Sequence, residues 1–279
     1  MSEGRPLLER IQHLVERETF SLPVLSETSF QLQALVGKQS SNMRDVAAII
    51  KRDQTLATEV LRAANSAFFG GLAEITTIQN AVMRLGAQQV INIVYLMSER
   101  SKYRARDPLL ASVAASMWKH ASASAMAAEW LGSRVQYRDR EEAFLAGLLH
   151  NIGELVLVRA LDEFKASEEK NFSFSPELVE EVLASAHTKL GFDFLTQRRI
   201  PEVYCRIARD HHLEKPEVGD FLMALVRLTD LGLRKLGLGF QTDSTLVLAA
   251  TQEATSLRVG EILMAEFEVM LEDYVASEV

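Results

Sequence analysis

Five histidines and one aspartate are the residues of this sequence whose types and setting could do chemistry. His150 stands beside Asn151 in the run FLAGLLHNIGELVL (144–157), which is otherwise too apolar to face water. Buried polar groups need hydrogen-bonding partners. The candidate partners elsewhere in the chain are His120, His187, His211, His212 and Asp230. Together these groups raise the question of whether the chain binds a metal.

Imidazole and carboxylate side chains are suitable ligands for divalent first-row metals, and a two-metal site needs a carboxylate that can bridge the ions. If 144–157 is one helix, Gly147 and Gly153 lie on the same stripe as His150, three residues before it and three after. The imidazole then has no bulky neighbour above or below it. This leaves room either for a ligand or for another helix.

The composition is that of an ordinary globular protein. Of its 279 residues, 48% are hydrophobic and 24% charged, enough for one large or two modest domains. The net charge is -8 and Lys and Arg form no large cluster, which disfavours DNA binding. The single cysteine, Cys205, excludes an internal disulfide and a cysteine-based zinc site. No apolar run approaches the ~18–20 residues of a membrane helix and the N-terminus is charged, so we expect a cytoplasmic protein.

Helical periodicity covers most of the chain. Glycine and proline are scarce, at 14 and 6 residues, and apolar residues recur three or four positions apart, which predicts an all-α protein. Asp53, Thr77 and Asp107 with Pro108 are typical helix starts. We expect helices at 7–17, around 30–36, at 109–132, 176–199, 200–212 and 221–237, a charged connector at 162–175, and two acidic helices after Thr242.

Three strings of the sequence carry a family resemblance: IIKRDQTLATEVLRAANSAFFG, ITTIQNAVMRLGAQQVINIVYL and FLAGLLHNIGELVLV. With them the chain resembles, from about Leu22 to at least His212, the HDOD family of HD-related output domains in bacterial signalling proteins. Gln54 departs from the proline that the family generally has after the aspartate. The resemblance implies a two-lobed helical bundle with an HD-domain-like second lobe. It divides the chain into 1–108, 109–240 and 241–279, the last being helices packed on the bundle.

The resemblance also implies roles for the polar residues. HD phosphohydrolases use a histidine, a His-Asp pair and a distant aspartate as metal ligands, and some relatives add further histidines. By that match His120 is the first histidine, His150 that of the pair and Asp230 the final aspartate. The added histidines are His187, His211 and His212. Asn151 stands where the family has the metal-bridging aspartate.

Asn151 changes what the site can do. An amide cannot act as an anionic bridge between two cations, so the site loses a negative charge. Glu154 also stands where catalytic HD-GYP relatives commonly have lysine, and HHLEKPEVG lacks their Gly-Tyr-Pro motif. We therefore expect a degenerate metal site with no assigned catalytic residue and no tightly bound cofactor. Any ion there is expected to be a divalent transition metal such as iron or manganese.

The leading hypothesis is a non-catalytic or weakly catalytic signal-transduction module that binds a partner protein or a small ligand through this site. The alternative is a metal-dependent phosphohydrolase acting on a nucleotide or a cyclic dinucleotide. We expect other signalling proteins or a small ligand as partners, and neither a membrane nor nucleic acid. A homodimer is compatible with the sequence, which names neither the partner nor the ligand.

Overall fold

The computed structural model describes residues 7–16, 43–69, 73–100, 102–167, 172–214, 219–239 and 242–277. These residues form helices and turns with no strand among them, so the predicted all-α class is confirmed. The helix expected around 30–36 lies outside the described residues. In chain order the helices are α1 Leu7–Glu16, α2 Met43–Ile50, α3 Gln54–Ala64, α4 Ile78–Leu85, α5 Ala87–Arg100, α6 Pro108–Arg134, α7 Arg140–Leu149, α8 Ile152–Ser167, α9 Pro176–Gln197, α10 Glu202–Asp210, α11 Phe221–Lys235, α12 Gln252–Ser256 and α13 Glu261–Ser277.

Contacts divide the chain into two compact units. The larger comprises residues 1–22 and 103–271, and the smaller comprises 23–102 and 272–279. In the larger unit, Ile11 of α1 packs in a core shared with α6, α8 and α9. The functional boundaries after residues 108 and 240 stay a prediction.

Helices α2 to α5 build the described core of the smaller unit. The Asp53 side chain accepts hydrogen bonds from the backbone N–H groups of Thr55 and Leu56 at the start of α3. Thr77 caps α4 in the same way, as the sequence predicts. The apolar faces of these helices meet in a core that includes Val46, Ile50, Val60, Val82 and Val94.

Asn65 closes the turn after α3. Its amide donates to the carbonyl oxygens of Leu61 and Ile75 at 3.0 and 2.8 Å, and its own carbonyl oxygen accepts from the Ile75 N–H at 2.7 Å. The side chain therefore ties the end of α3 to the segment before α4. Because the smaller unit contains no histidine, we predict that this motif serves packing and interaction.

Replacing Asn65 by leucine is expected to lower the free energy of unfolding by about 1 to 2 kcal/mol, because three hydrogen bonds are lost at an exposed position. Ala67→Leu is the matched control, since it adds the same side chain at an exposed position nearby. Urea denaturation followed by circular dichroism measures both variants. Equal stability of Asn65→Leu and wild type would mean that water replaces the three bonds without loss.

Helix α6 begins where the sequence predicts. Asp107 caps it by accepting from the backbone N–H groups of Leu109 and Leu110, and Pro108 occupies the first turn. Residues 120–129 are all buried. Most of them are alanine or serine, and such small side chains let neighbouring helices approach closely. The same close packing surrounds His120.

The apolar run around His150 forms two helices. The prediction of a single helix through 144–157 was therefore wrong. Helix α7 ends at Leu149 and α8 begins at Ile152. His150 and Asn151 lie in the turn between them.

Neighbouring helices fill the space left by the two glycines near His150. A Cβ atom on Gly147 would lie 2.5 Å from the carbonyl oxygen of Ser124 in α6. A Cβ atom on Gly153 would lie 1.8 Å from the carbonyl oxygen of His187 in α9. Of the two occupants left open by the sequence, helix backbone is the one that the structure places there.

The charged segment expected at 162–175 begins instead as the last turns of α8, which extends to Ser167. Asp162 is buried and accepts from the backbone N–H groups of Arg106 and Asp107 at 2.9 and 3.1 Å. Arg106 also donates to the Asp162 carboxylate through Nε at 3.0 Å. Because the carboxylate is paired, the helix continues past the point where its charge predicted a connector.

Among the described residues, one helical stretch, Arg140–Ser167, is long and apolar enough to cross a membrane by length and composition alone. The expectation that no run approaches this length was therefore wrong. The stretch consists of α7 and α8 with the His150 turn between them, and 78% of its most apolar window is buried inside the structure. Buried core helices commonly pass the same test.

Candidate metal centre

Helices α6, α9 and α11 of the larger unit, and the turns that follow α7 and α10, position the polar residues singled out in the sequence. The structure brings six of these residues into two groups of three. Within each group, one ligand atom from each residue lies within 4.8 Å of the others. The first group is His120, His150 and Asp230, and the second is His187, His211 and His212.

The first group forms a compact triangle of ligand atoms. His120 Nε2 lies 3.4 Å from His150 Nε2 and 3.2 Å from Asp230 Oδ1, and His150 Nε2 lies 3.8 Å from the same oxygen. A point equidistant from the three atoms lies about 2.0 Å from each, close to the length of a metal–imidazole bond. The three side chains therefore fit one divalent ion.

Backbone carbonyls orient three of the imidazoles. Nδ1 of His150 lies 2.7 Å from the carbonyl oxygen of Gly147, and Nδ1 of His187 lies 2.8 Å from that of Leu183. His211 Nδ1 lies 3.1 Å from two carbonyl oxygens of α10. A carbonyl oxygen only accepts, so each Nδ1 carries the proton and each Nε2 carries the lone pair. Metal-ligating histidines are typically oriented in this way.

Two of these Nε2 atoms have no hydrogen-bond partner among the described residues. They belong to His187 and His211, which are only 6% and 3% exposed. Both side chains line a cavity of about 380 Å³, together with His212 and Asp230. Leaving a buried acceptor unsatisfied is unfavourable. The second group therefore also offers lone pairs to a cation or to a hydrogen-bond donor of a ligand.

The first group is electrostatically coupled. Burial raises the pKa of Asp230, but the neighbouring imidazoles outweigh it, above all the hydrogen bond from His120, and hold that pKa well below its usual range. Burial lowers the pKa of His120, and its hydrogen bond to Asp230 reverses this, so the net pKa is raised. Asp230 is therefore the anion of the group, and His120 is the imidazole that shares a proton with it.

Two imidazoles of the second group, those of His187 and His211, favour the neutral form. Burial, together with the neighbouring imidazoles, lowers the pKa of His211 well below its usual range. Burial also lowers the pKa of His187. Neutral imidazole is the form that binds metal ions, so these two side chains need not lose a proton before binding one.

Asn151 belongs to neither group. Its Oδ1 atom is buried and has no hydrogen-bond partner among the described residues. It lines a smaller cavity of about 40 Å³ together with His120 and Asp230 of the first group and His187 of the second. An amide oxygen can coordinate a cation but brings no negative charge to it.

Four residues outside the predicted set also line the smaller cavity: Glu154, Ala184, Arg234 and Gly239. Burial raises the pKa of Glu154 to about 7. Glu154 follows Asn151 by one helical turn, and that spacing was the available sequence signal. Arg234 follows Asp230 by one turn and lies 3.9 Å from its Oδ2 atom. No sequence signal marked Ala184 or Gly239.

Solved structures share this fold. An HDOD domain protein of unknown function from Geobacter sulfurreducens superposes with a TM-score of 0.69 at 19% identity, covering 97% of this chain and 96% of the other. A candidate metal-dependent phosphohydrolase from Shewanella amazonensis gives 0.70 at 19% identity, covering 98% of both chains. A candidate signal transduction protein from Marinobacter aquaeolei gives 0.59 at 20% identity, covering 97% of this chain and 64% of that one.

Sequence comparison places the chain in a family. An uncharacterized protein of Treponema pallidum is 25% identical over 224 residues, which cover 77% of this chain. The match covers 42% of the Treponema protein, so the chain spans less than half the length of that relative. The sequence model of the HDOD domain matches residues 22–214, more than half of the chain. The protein therefore belongs to the HDOD domain family.

Proposed function

We propose that this protein is a cytoplasmic regulatory module, non-catalytic or weakly catalytic, that binds a small ligand or a partner protein through a degenerate HD-type site. The position of Asn151 carries the proposal. It lines the cavity that members of both histidine groups share, yet it belongs to neither group and supplies no charge.

The charge of the two groups supports regulation over turnover. Asp230 is the one carboxylate among their six residues, and Arg234 lies 3.9 Å from it. Two-metal hydrolysis needs both ions held close together, so that they stabilise the attacking and the leaving oxygen. Neutral imidazoles and a single carboxylate leave two such ions with little to offset their repulsion. A single ion is the better fit.

His120, His150 and Asp230 would hold that ion. When bound, it would supply positive charge that orients an anionic ligand beside the larger cavity. The residues around this site come from α6, α9 and α11 and from the turns after α7 and α10, so a ligand that binds one packing arrangement of these helices more tightly than another shifts their equilibrium. That shift is the means by which binding would reach a partner protein.

The names of two structural relatives, signal transduction protein and metal-dependent phosphohydrolase, correspond to the two candidate functions. The alternative for this chain is a metal-dependent phosphohydrolase acting on a nucleotide or a cyclic dinucleotide. The unpartnered Nε2 atoms of His187 and His211 favour it, because they are placed to hold a second ion.

Elemental analysis and hydrolysis assays on the dialysed protein distinguish these functions. We expect well under one tightly bound transition metal per chain, and no cleavage of bis-p-nitrophenyl phosphate or of a cyclic dinucleotide above the blank when Mn²⁺ is added. Asp230→Asn is the matched control, since turnover at this site must decrease with it. Two equivalents of iron or manganese retained through dialysis, with hydrolysis abolished by Asp230→Asn, would establish the phosphohydrolase instead.

A further inference from the structure

Glu154 is a buried carboxylate beside the first histidine group. It lies in the first turn of α8, is 9% exposed, and lines the 40 Å³ cavity with His120, Asn151 and Asp230. Its electrostatic interactions are with His120 and Asp230. Burying a carboxylate is unfavourable unless a positive charge or hydrogen-bond donors compensate it. Arg234 lines the same cavity and supplies one positive charge, 3.9 Å from Asp230 Oδ2. A bound cation would supply the rest of the compensation.

The first group is short of negative charge without Glu154. Asp230 brings one charge, and Arg234 lies close to it. Asn151 brings none, although it occupies the turn directly after His150. Glu154 and Asp230 together bring two negative charges to the cavity, and Arg234 offsets one of them.

We propose that Glu154 is the second carboxylate of this centre and that, with Asp230, it holds one exchangeable divalent cation in the small cavity, replacing the charge missing at Asn151. The inference rests on the proposed function, because it requires that the first group binds a cation. Glu154 does not belong to the triangle of closest ligand atoms. Its role is to balance charge from the cavity wall.

The size of the cavity and its unpartnered atoms support a single small ion. A volume of about 40 Å³ is close to the ~30 Å³ that one water molecule occupies in the liquid. Two buried atoms that line it, Asn151 Oδ1 and His187 Nε2, have no hydrogen-bond partner among the described residues. His187 is only 6% exposed. Both atoms have lone pairs available to a cation or to its bound water.

The donor chemistry favours manganese as the probe. The carboxylate of Asp230 and the amide carbonyl of Asn151 are oxygen ligands, which suit Mg²⁺ and Mn²⁺, and the imidazole of His120 adds a nitrogen that Mn²⁺ accepts more readily than Mg²⁺. Weak, exchangeable binding also agrees with the expectation that dialysis leaves well under one metal per chain.

The test is titration of the full chain with Mn²⁺, with free Mn²⁺ followed by electron paramagnetic resonance and stability followed by thermal melting. We expect one reversible site in wild type and binding 10- to 100-fold weaker in Glu154→Gln. Without Mn²⁺ the Glu154→Gln protein should melt at or above the wild-type temperature, because an uncompensated buried carboxylate has been removed. A purely structural role for Glu154 predicts the opposite change in the metal-free protein.

Two further variants complete the design. Glu163→Gln, on the same helix but at an exposed carboxylate, should bind Mn²⁺ like wild type. The double variant Asn151→Asp with Glu154→Gln moves the charge to the other position and should regain affinity to within about threefold of wild type. Equal Mn²⁺ affinity of wild type and Glu154→Gln, or no recovery in the double variant, would overturn this inference alone. No Mn²⁺ binding by wild type would overturn the cation site of the proposed function as well.

Discussion

Replacing Gly153 by alanine is expected to lower the free energy of unfolding by at least about 3 kcal/mol, the upper end of the usual overpacking range. The added Cβ would lie 1.8 Å from the carbonyl oxygen of His187, 2.7 Å from its carbonyl carbon and 2.8 Å from the backbone nitrogen of Gly191. All three are backbone atoms, which cannot rotate away as a side chain does. Relief requires α8 and α9 to separate, and α9 carries His187.

Gly132→Ala is the matched control because Gly132 is also a buried helical glycine. Its nearest contacts would be 3.5 Å or longer, an ordinary van der Waals distance. The control should therefore be neutral or up to about 1 kcal/mol more stable, since alanine is the better helix former. Guanidinium denaturation of both variants makes the comparison. Wild-type stability in Gly153→Ala would mean that α8 and α9 are farther apart than described.

Local signals in the sequence predicted most of the helices. The cap residues Asp53, Thr77 and Asp107 begin helices in the structure because each satisfies backbone N–H groups within its own first turn. The break at His150 was missed because the apolar pattern continues through it. Asp162 was misplaced for a related reason: its burial depends on Arg106, which lies 56 residues away in sequence.

The sequence predicted which residues form the two groups of the candidate site, but not how these residues are arranged in space. Buried histidines in an apolar sequence must find polar partners, and this requirement together with the family resemblance selected the six residues that the structure groups. Which three share a group depends on how α6, α9 and α11 pack around the His150 turn, and periodicity within one helix carries no information about that. Glu154 was noted only as a departure from lysine. Its place in the cavity wall follows from the turn that ends α7.

The change Asn151→Asp is expected to have opposite effects on stability without and with metal. In the metal-free protein it should lower the free energy of unfolding by about 1 to 3 kcal/mol. The new carboxylate would be buried in a cavity wall that already contains Asp230 and Glu154, and like charges in a desolvated site oppose ionisation. With Mn²⁺ the same carboxylate becomes a ligand, so affinity should rise at least about tenfold above wild type. A ligand at 100 times its Kd adds about 2.7 kcal/mol to the stability of the folded state, which is enough to offset the loss.

Thermal melting of wild type and Asn151→Asp, each with and without Mn²⁺, measures this reversal. Asn80→Asp is the matched control, because it makes the same chemical change at an exposed position of the smaller unit and should respond to Mn²⁺ as wild type does. The decisive quantity is the difference in melting temperature between variant and wild type, which should change sign when Mn²⁺ is added. A metal-free variant that melts below wild type and a Mn²⁺-loaded variant that melts at or above it identify Asn151 as the residue that weakens an inherited metal site. If the variant and wild type melt together and neither responds to Mn²⁺, the six grouped residues form a polar core without a latent metal site.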